Sequence, residues 1–425
     1  MCEKPEEVMP RKTRFDRSKT CHKCKTTDGQ LVVRHFVYCK ECFLAHVRSK
    51  FKQRMPSPRT EDRDAELPLT VAFSGGMGSS VLLSEIARMF RRVNARRKIW
   101  KPITAVYVET CAASEDGVDQ VDRIREIVQG YHDIGLVVVR LEDAFGSDEG
   151  QDLAQLSLAD ERLVDAPRIS YESPREALRA YLAAQPTASA RSTALSSLIH
   201  ALVLRHSTPT GPIVFGTQLT ALAVELIAGV AHGAGFSLAS THPRVFRPLQ
   251  DLGAKECAAY IHWRGLRPIH ARGPPSMESI GGLTREFITR LDRDYPSTVS
   301  AVARTCAKVV PRRDQTAFPC ALCERPAQRG VLDWKSRTAI RSFEPMDAEA
   351  PVVGDVGPGR STEDSGTASE LCYACHTQLT SRARVRGEAN AASVPVPRWT
   401  GTTLAERRAA MRSAVSEFIL DDDDN

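Results

Sequence analysis

Eight of the chain's 12 cysteines fall into four Cys-x-x-Cys pairs: Cys21/Cys24, Cys39/Cys42, Cys320/Cys323 and Cys372/Cys375. The start, Met-Cys-Glu-Lys-Pro-Glu-Glu, has no apolar run of the kind that directs export. The sequence therefore predicts a soluble chain in a reducing compartment, where disulfides do not persist and paired cysteines read as metal ligands. The first four, Cys21, Cys24, Cys39 and Cys42, have the spacing of a single closed tetrathiolate site, with Leu31 to Tyr38 alternating like a short hairpin that joins the pairs. Zinc is the default ion for such a site, which is structural and contributes folding energy to a small module. An iron–sulfur cluster is the alternative. Cys320, Cys323, Cys372 and Cys375 have a longer gap. The segment 343–370 is rich in Gly, Ser, Pro and acids and is expected to be a disordered insertion, which brings the gap near the usual ribbon range.

Charge is uneven along the chain. Residues 1–59 carry 15 Lys and Arg against 6 Asp and Glu, whereas the whole chain carries 58 against 52. A basic end on a near-neutral body suits an anionic partner, nucleic acid first, or else is a solvated arm. Phe36, Tyr38 and Phe43 lie among Arg34, Lys40, Arg48, Lys50, Lys52 and Arg54, a mixture able to stack on bases and pair with phosphates. Arg34, Lys50, Lys52 and Arg54 are candidate RNA contacts. Arg91, Arg92, Arg96 and Arg97 join them, at the end of the first long helix. His22 and His46 read as non-ligands, since four cysteines complete the shell. No stretch reads as a membrane span; the nearest, Leu219 to Ala239, carries Glu225, His232 and several glycines.

From Leu69 the texture changes to short apolar runs alternating with helical patterns. Strands are expected at Thr70–Phe73, Ile103–Val108, Leu136–Leu141 and Pro212–Gly216. Helices are expected from Ser79, at Asp119–Tyr131, near 151–164, 173–184 and 191–206, and at Ala221–Ala231, Lys255–Gly265, Leu283–Tyr295 and Thr298–Val310. This alternation predicts an α/β class: an open, mostly parallel sheet with helices on both faces, flanked by two four-cysteine zinc-ribbon-like modules. The expected division is a basic module at 1–55, a linker at 56–68, the α/β domain at 69–315, the second cysteine ribbon at 316–380 and a flexible tail at 381–425 with a terminal helix over Thr403–Leu420.

Ser74-Gly75-Gly76-Met77-Gly78-Ser79-Ser80 follows a strand and opens a helix. Glycines allow backbone N–H groups to approach an anion, and Ser74, Ser79 and Ser80 add hydroxyls. The loop is neither a Walker A motif nor a dinucleotide fingerprint. Cys111, just past the second strand, is either a reactive thiol or a buried structural cysteine.

The stretch from Val71 to Ser80 resembles the pyrophosphate loop of the N-type ATP pyrophosphatases, Ser-Gly-Gly-x-Asp-Ser/Thr, with Gly78 in place of the aspartate. Gly216-Thr217-Gln218-Leu219-Thr220 stands where active thiolases of that superfamily have a Gly-His-Asn-x-Asp-Asp type motif, again without its ionisable residues. With Phe246–Leu252, Asp294–Val299 and the cysteine-bearing start, these segments resemble the cytoplasmic tRNA 2-thiolation protein 2 family from Cys21 to Cys375, the insertion excepted.

The resemblance implies a cytoplasmic subunit of a tRNA-thiolating heterodimer. Its catalytic paralogue would carry the intact loop and use ATP with magnesium. A thiocarboxylated ubiquitin-related modifier would deliver sulfur to C2 of the wobble uridine in tRNAs for lysine, glutamate and glutamine. The nucleotide-binding positions carried over, as a vestige, are Ser74, Gly75, Gly76, Gly78, Ser79 and Ser80; no residue is assigned a catalytic role. Two other readings stay open on the residues alone: an autonomous ATP-dependent tRNA sulfurtransferase using Cys111 or a ribbon cysteine, and a zinc-dependent interaction protein unrelated to tRNA.

Overall fold

The computed structural model describes residues 20–33, 36–56, 67–90, 100–146, 153–159, 162–239, 243–269, 279–306, 318–328, 370–386, 393–401 and 409. In chain order the first elements are β1 (Leu31–Val33), β2 (Phe36–Tyr38), α1 (Lys40–Arg54), β3 (Leu67–Ala72), α2 (Met77–Phe90), β4 (Trp100–Glu109), α3 (Val121–Gln129) and β5 (Ile134–Arg140). Then come β6 (Leu153–Ala159), β7 (Arg162–Ile169), α4 (Pro174–Ala183), α5 (Ala188–Arg205), β8 (Ile213–Phe215), α6 (Leu219–Ala231), α7 (Gly235–Ala239) and β9 (Val245–Phe246). The chain continues through α8 (Ala254–Arg264), α9 (Ile280–Asp294), α10 (Pro296–Cys306), β10 (Phe318–Pro319), β11 (Pro326–Ala327), α11 (Tyr373–Arg386) and β12 (Val394–Pro395).

The central sheet has the order β5-β4-β3-β8-β9, and every neighbouring pair is parallel. Leu69 and Val71 of β3 and Ala105 of β4 are fully buried, as an inner strand covered on both faces requires. The order runs one way from β3 to β5 and the other way to β9. The loops after β3 and β8 therefore diverge at a topological switch point, where open α/β sheets form their ligand crevice. Val81, Leu82, Leu83 and Ile86 of α2 are fully buried against the sheet. Ser173 and Thr187 cap α4 and α5 by accepting from Glu176 N and Ala190 N.

Two expectations are corrected. Residues 153–169 are a strand hairpin, not a helix: β6 and β7 pair antiparallel, and β12 adds to the free side of β6. The second strand partner arrives from more than 230 residues downstream, and Leu156 of β6 is buried with the second cysteine cluster. Residues 393–401, expected in a flexible tail, are part of this fold. Trp399 is 4% exposed and Thr400 is fully buried. The linker positions 57–66, the insertion 343–369 and the terminal helix over Thr403–Leu420 (apart from Ala409) lie outside the described residues. Among the described residues no helix is long and apolar enough to cross a membrane.

Candidate functional site

The first cysteine set is built by a turn, a hairpin and a helix end. Cys21 and Cys24 precede β1, Cys39 occupies the N-cap of α1 and Cys42 lies in its first turn. The turn closes by Lys25 N donating to Cys21 O at 2.9 Å, with Lys25 in the left-handed region at φ 57°. The four Sγ atoms all lie within 4.8 Å of one another, and Cys24 and Cys39 Sγ are 3.9 Å apart. The second set repeats the device. Glu324 N donates to Cys320 O at 2.9 Å with φ 59°, and the Sγ atoms of Cys320, Cys323, Cys372 and Cys375 again lie within 4.8 Å. Cys323 and Cys372 Sγ are 3.8 Å apart. A tetrahedral ion with metal–sulfur bonds of about 2.3 Å holds its thiolates about 3.8 Å apart.

Electrostatics explain why such a set suits a cation. Hydrogen bonds from the Thr26 and Thr27 side chains hold the Cys24 thiol down at about 5, while burial pushes Cys42 up to about 12. In the second set burial raises Cys320, but hydrogen bonds from the other three thiols outweigh it and hold it well below the ordinary thiol value. Hydrogen bonding to Cys320 in turn keeps Cys323 and Cys375 well above it. Four touching thiols cannot all ionise unless positive charge lies among them. His22 stacks on Phe36 at 4.3 Å and His46 lies 5.3 Å from Tyr38, both outside the four-sulfur set.

The glycine loop lies at the switch point. Gly75 takes φ 73°, which favours glycine. A cavity of about 1110 Å³ opens between this loop, the end of β4 and the segment Phe215–Gln218. Val106, Val108, Ile199 and Phe215 give it an apolar wall, against which a flat ring can lie. Its charged lining residues are Glu109, Asp116 and Glu225; no Lys or Arg lines it among the described residues. Glu109, 2% exposed, is saturated: it accepts from the Tyr107 hydroxyl (2.8 Å) and from the backbone N–H of Thr110 (2.8 Å), Cys111 (3.0 Å) and Gln120 (2.9 Å). Nothing in the sequence singled out this residue. Cys111 lines the same cavity, and burial, then the Glu109 charge, raises its thiol.

The loop is closed at Gly78, the position where the pyrophosphate loop it resembles in sequence has a carboxylate. A Cβ placed on Gly78 would lie 2.0 Å from Gly216 O, and one on Gly216 would lie 2.6 Å from Ser79 N. The two motif positions occupy each other's side-chain space. Ser79 Oγ donates to Gly76 O at 3.1 Å and contacts Ser74 Oγ at 3.2 Å; Ser80 Oγ donates to Gly75 O at 3.3 Å. All three hydroxyls are thus engaged within the loop.

The basic candidates have separate fates. Arg54 Nε donates to Asp251 at 2.7 Å, Lys50 is half-buried and Lys52 is exposed. Arg34, Arg91, Arg92, Arg96 and Arg97 lie outside the described residues. Of the three aromatics proposed for stacking, Phe43 and Tyr38 are core residues in one cluster with residues of α8, Phe43 lying edge-on to Trp263 at 5.1 Å. Phe36 alone is exposed, at 45%.

The sequence model of the family "Cytoplasmic tRNA 2-thiolation protein 2" matches residues 279–377, from the start of α9 into α11. Proteins of that name match along far more of the chain. The one from Pyrenophora tritici-repentis is 28% identical over 86% of this chain and 96% of its own length. That from Drosophila mojavensis is 26% identical over 84% and 90%, and that from Danio rerio is 24% identical over 96% and 95%. The chain is thus similar, over most of its length, to proteins of the cytoplasmic tRNA 2-thiolation protein 2 family. Among solved structures it is similar to the U34-tRNA thiolase NcsA from Methanococcus maripaludis with its 4Fe-4S cluster. The TM-score is 0.50 and the identity 16%, over 68% of this chain and 87% of that one. This likeness shows a shared α/β fold.

Proposed function

We propose that the chain is the non-catalytic member of a cytosolic pair that replaces oxygen by sulfur at C2 of the wobble uridine in tRNAs for lysine, glutamate and glutamine. Its partner is a paralogue with an intact pyrophosphate loop, and a thiocarboxylated ubiquitin-related modifier supplies the sulfur. In that reaction ATP adenylates the uridine oxygen, making it a leaving group, and sulfur then attacks C2. The observation that carries the division of labour is the Gly78–Gly216 contact. The seat of the loop carboxylate is filled by a backbone carbonyl 2.0 Å from where a Cβ would start. The acidic lining of the cleft also opposes an unscreened triphosphate. This chain's loop hydroxyls are engaged within the loop, by one another or by its backbone carbonyls, which supports a role in shaping the cleft rather than acting on phosphate.

The two tetrathiolate sets are read as zinc sites, held by Cys21, Cys24, Cys39 and Cys42 and by Cys320, Cys323, Cys372 and Cys375. Sulfur separations of 3.9 and 3.8 Å support one ion rather than a cluster. Zinc there would supply cross-linking of distant segments.

Wobble-uridine thiolation by purified components tests the proposal. Product is expected only when both chains are present, with no ATP turnover by this chain alone. Gly78→Asp is expected to restore no activity and to lower stability by about 2 kcal/mol or more, through the clash with Gly216. Thiolation by this chain alone would overturn the reading and return attention to Cys111.

A further inference from the structure

A second cleft, of about 390 Å³, opens where α1 meets α2 and α8. Lys40 and Arg48 reach it from α1, Arg88 from the last turn of α2, and Trp263 and Arg264 from the end of α8. Glu41 is its one carboxylate among the described lining residues. Beneath lies Glu85, 1% exposed, 3.7 Å from Arg48 Nε and 3.9 Å from Arg88 Nε, and accepting from the Tyr260 hydroxyl at 2.5 Å. One carboxylate shared by two guanidiniums anchors their inner sides and leaves the cleft positive. Arg264 lies over the Tyr260 ring at 5.6 Å, and its Nε is buried without a hydrogen-bond partner among the described residues.

These cations come from three parts of the sequence, and with Glu85 and Glu41 set against Lys40, Arg48, Arg88 and Arg264 the cleft keeps a net positive charge that favours an entering anion. The Arg48 and Arg88 side chains are 29% and 39% exposed: held by the core, yet open to solvent. We propose that this cleft seats backbone phosphates of RNA. Guanidiniums present fixed forks of donors that match phosphate oxygens. The cleft is larger than one phosphate needs, which suits an extended polyanion. The inference rests on the tRNA reading above and supplies it with a surface.

The test measures tRNA binding by the full chain, alone and with the proposed paralogue, across a salt series. Lys40→Glu/Arg264→Glu is expected to weaken binding roughly tenfold near 0.15 M salt and to reduce the log–log salt slope by about 1.5 to 2. Arg175→Glu/Arg179→Glu, exposed on α4, is expected to change neither. If the reversal variant folds poorly, Lys40→Gln/Arg264→Gln is read instead, with roughly threefold weakening expected. Unchanged affinity and slope in a folded variant, with wild type binding tRNA, would overturn the cleft and leave the function standing. Failure of the wild type to bind tRNA in either form would overturn the function, and the cleft with it. Competition by poly-glutamate as effective as by tRNA would reassign the cleft to an acidic protein.

Discussion

The two cysteine clusters share a local plan and differ in everything around it. Each begins with a Cys-x-x-Cys turn whose next residue, Lys25 or Glu324, is left-handed and donates back to the first cysteine's carbonyl. In the first cluster two of the four cysteines are only half-buried; in the second all four are buried. The first joins the body through one helix, α1. The second is enclosed by contacts from several elements: Trp399 Nε1 donates to Leu322 O at 3.2 Å, Thr400 Oγ1 to Ala321 O at 3.2 Å, and Gln378 Nε2 to Gln185 Oε1 at 2.8 Å. The same motif thus serves as a mount for a peripheral module in one place and as a cross-link within a core in the other.

The largest effect is therefore expected at the buried cluster. Structural zinc contributes on the order of 10 kcal/mol of apparent folding free energy in small modules, comparable to the whole stability of a domain. Cys320→Ser/Cys323→Ser is expected to disrupt α4, α5 and the β6–β7 hairpin as well as the ribbon, lowering Tm by about 10 °C or more. Thermal unfolding and amide exchange read this out. Unchanged protection across α4 and α5 would mean that the ribbon is an appendage like its counterpart.

Cys21→Ser/Cys24→Ser is expected to remove one of the two bound metals while leaving exchange protection on β3, β4 and β8 intact. Phe43 and Phe51 of α1 share the core with Leu83 and Tyr260, so some loss is expected on α2 and α8. In wild type, a chelator should strip the first cluster before the second, on the order of tenfold faster, because each 1.4 kcal/mol of added opening cost is a factor of ten. Simultaneous loss from both sites would erase the distinction drawn from burial.

The repeated cysteine spacing made both clusters legible in the sequence, and the alternation of short apolar runs with helical patterns made the sheet legible. What escaped depends on partners far along the chain. The stretch near 151–164 read as a helix, but β6 is held as a strand by β12, whose Val394 pairs with Leu156. Gly78 read as a missing carboxylate; that Gly216 fills its space is a fact of two loops meeting. Tyr38 and Phe43 read as stacking aromatics because a basic module was pictured without the core cluster they share with residues of α8.

The smallest expected difference concerns the ion pairs that tie each cluster to the body. Arg54 meets Asp251 at 2.7 Å with the arginine side chain 48% exposed, and Arg205 meets Glu324 at 2.5 Å with its side chain 38% exposed. Pairs so open to water contribute about 1 kcal/mol or less by themselves. Arg205 has further roles: it lies 4.8 Å over the Trp399 ring, and it opposes the burial that raises the Glu324 carboxyl. Its loss would leave Glu324 part-buried without its cation and remove cover from Trp399. Arg205→Ala is thus expected to cost about 1–2 kcal/mol, against about 0.5 kcal/mol for Arg54→Ala, in urea unfolding. Because Glu324's carboxyl is raised by burial even with Arg205 present, Arg205→Ala should raise it further, and the added loss should shrink as acid protonates that carboxyl. Equal costs for the two arginines at neutral pH would mean that the second cluster is no more tightly tied to the body than the first.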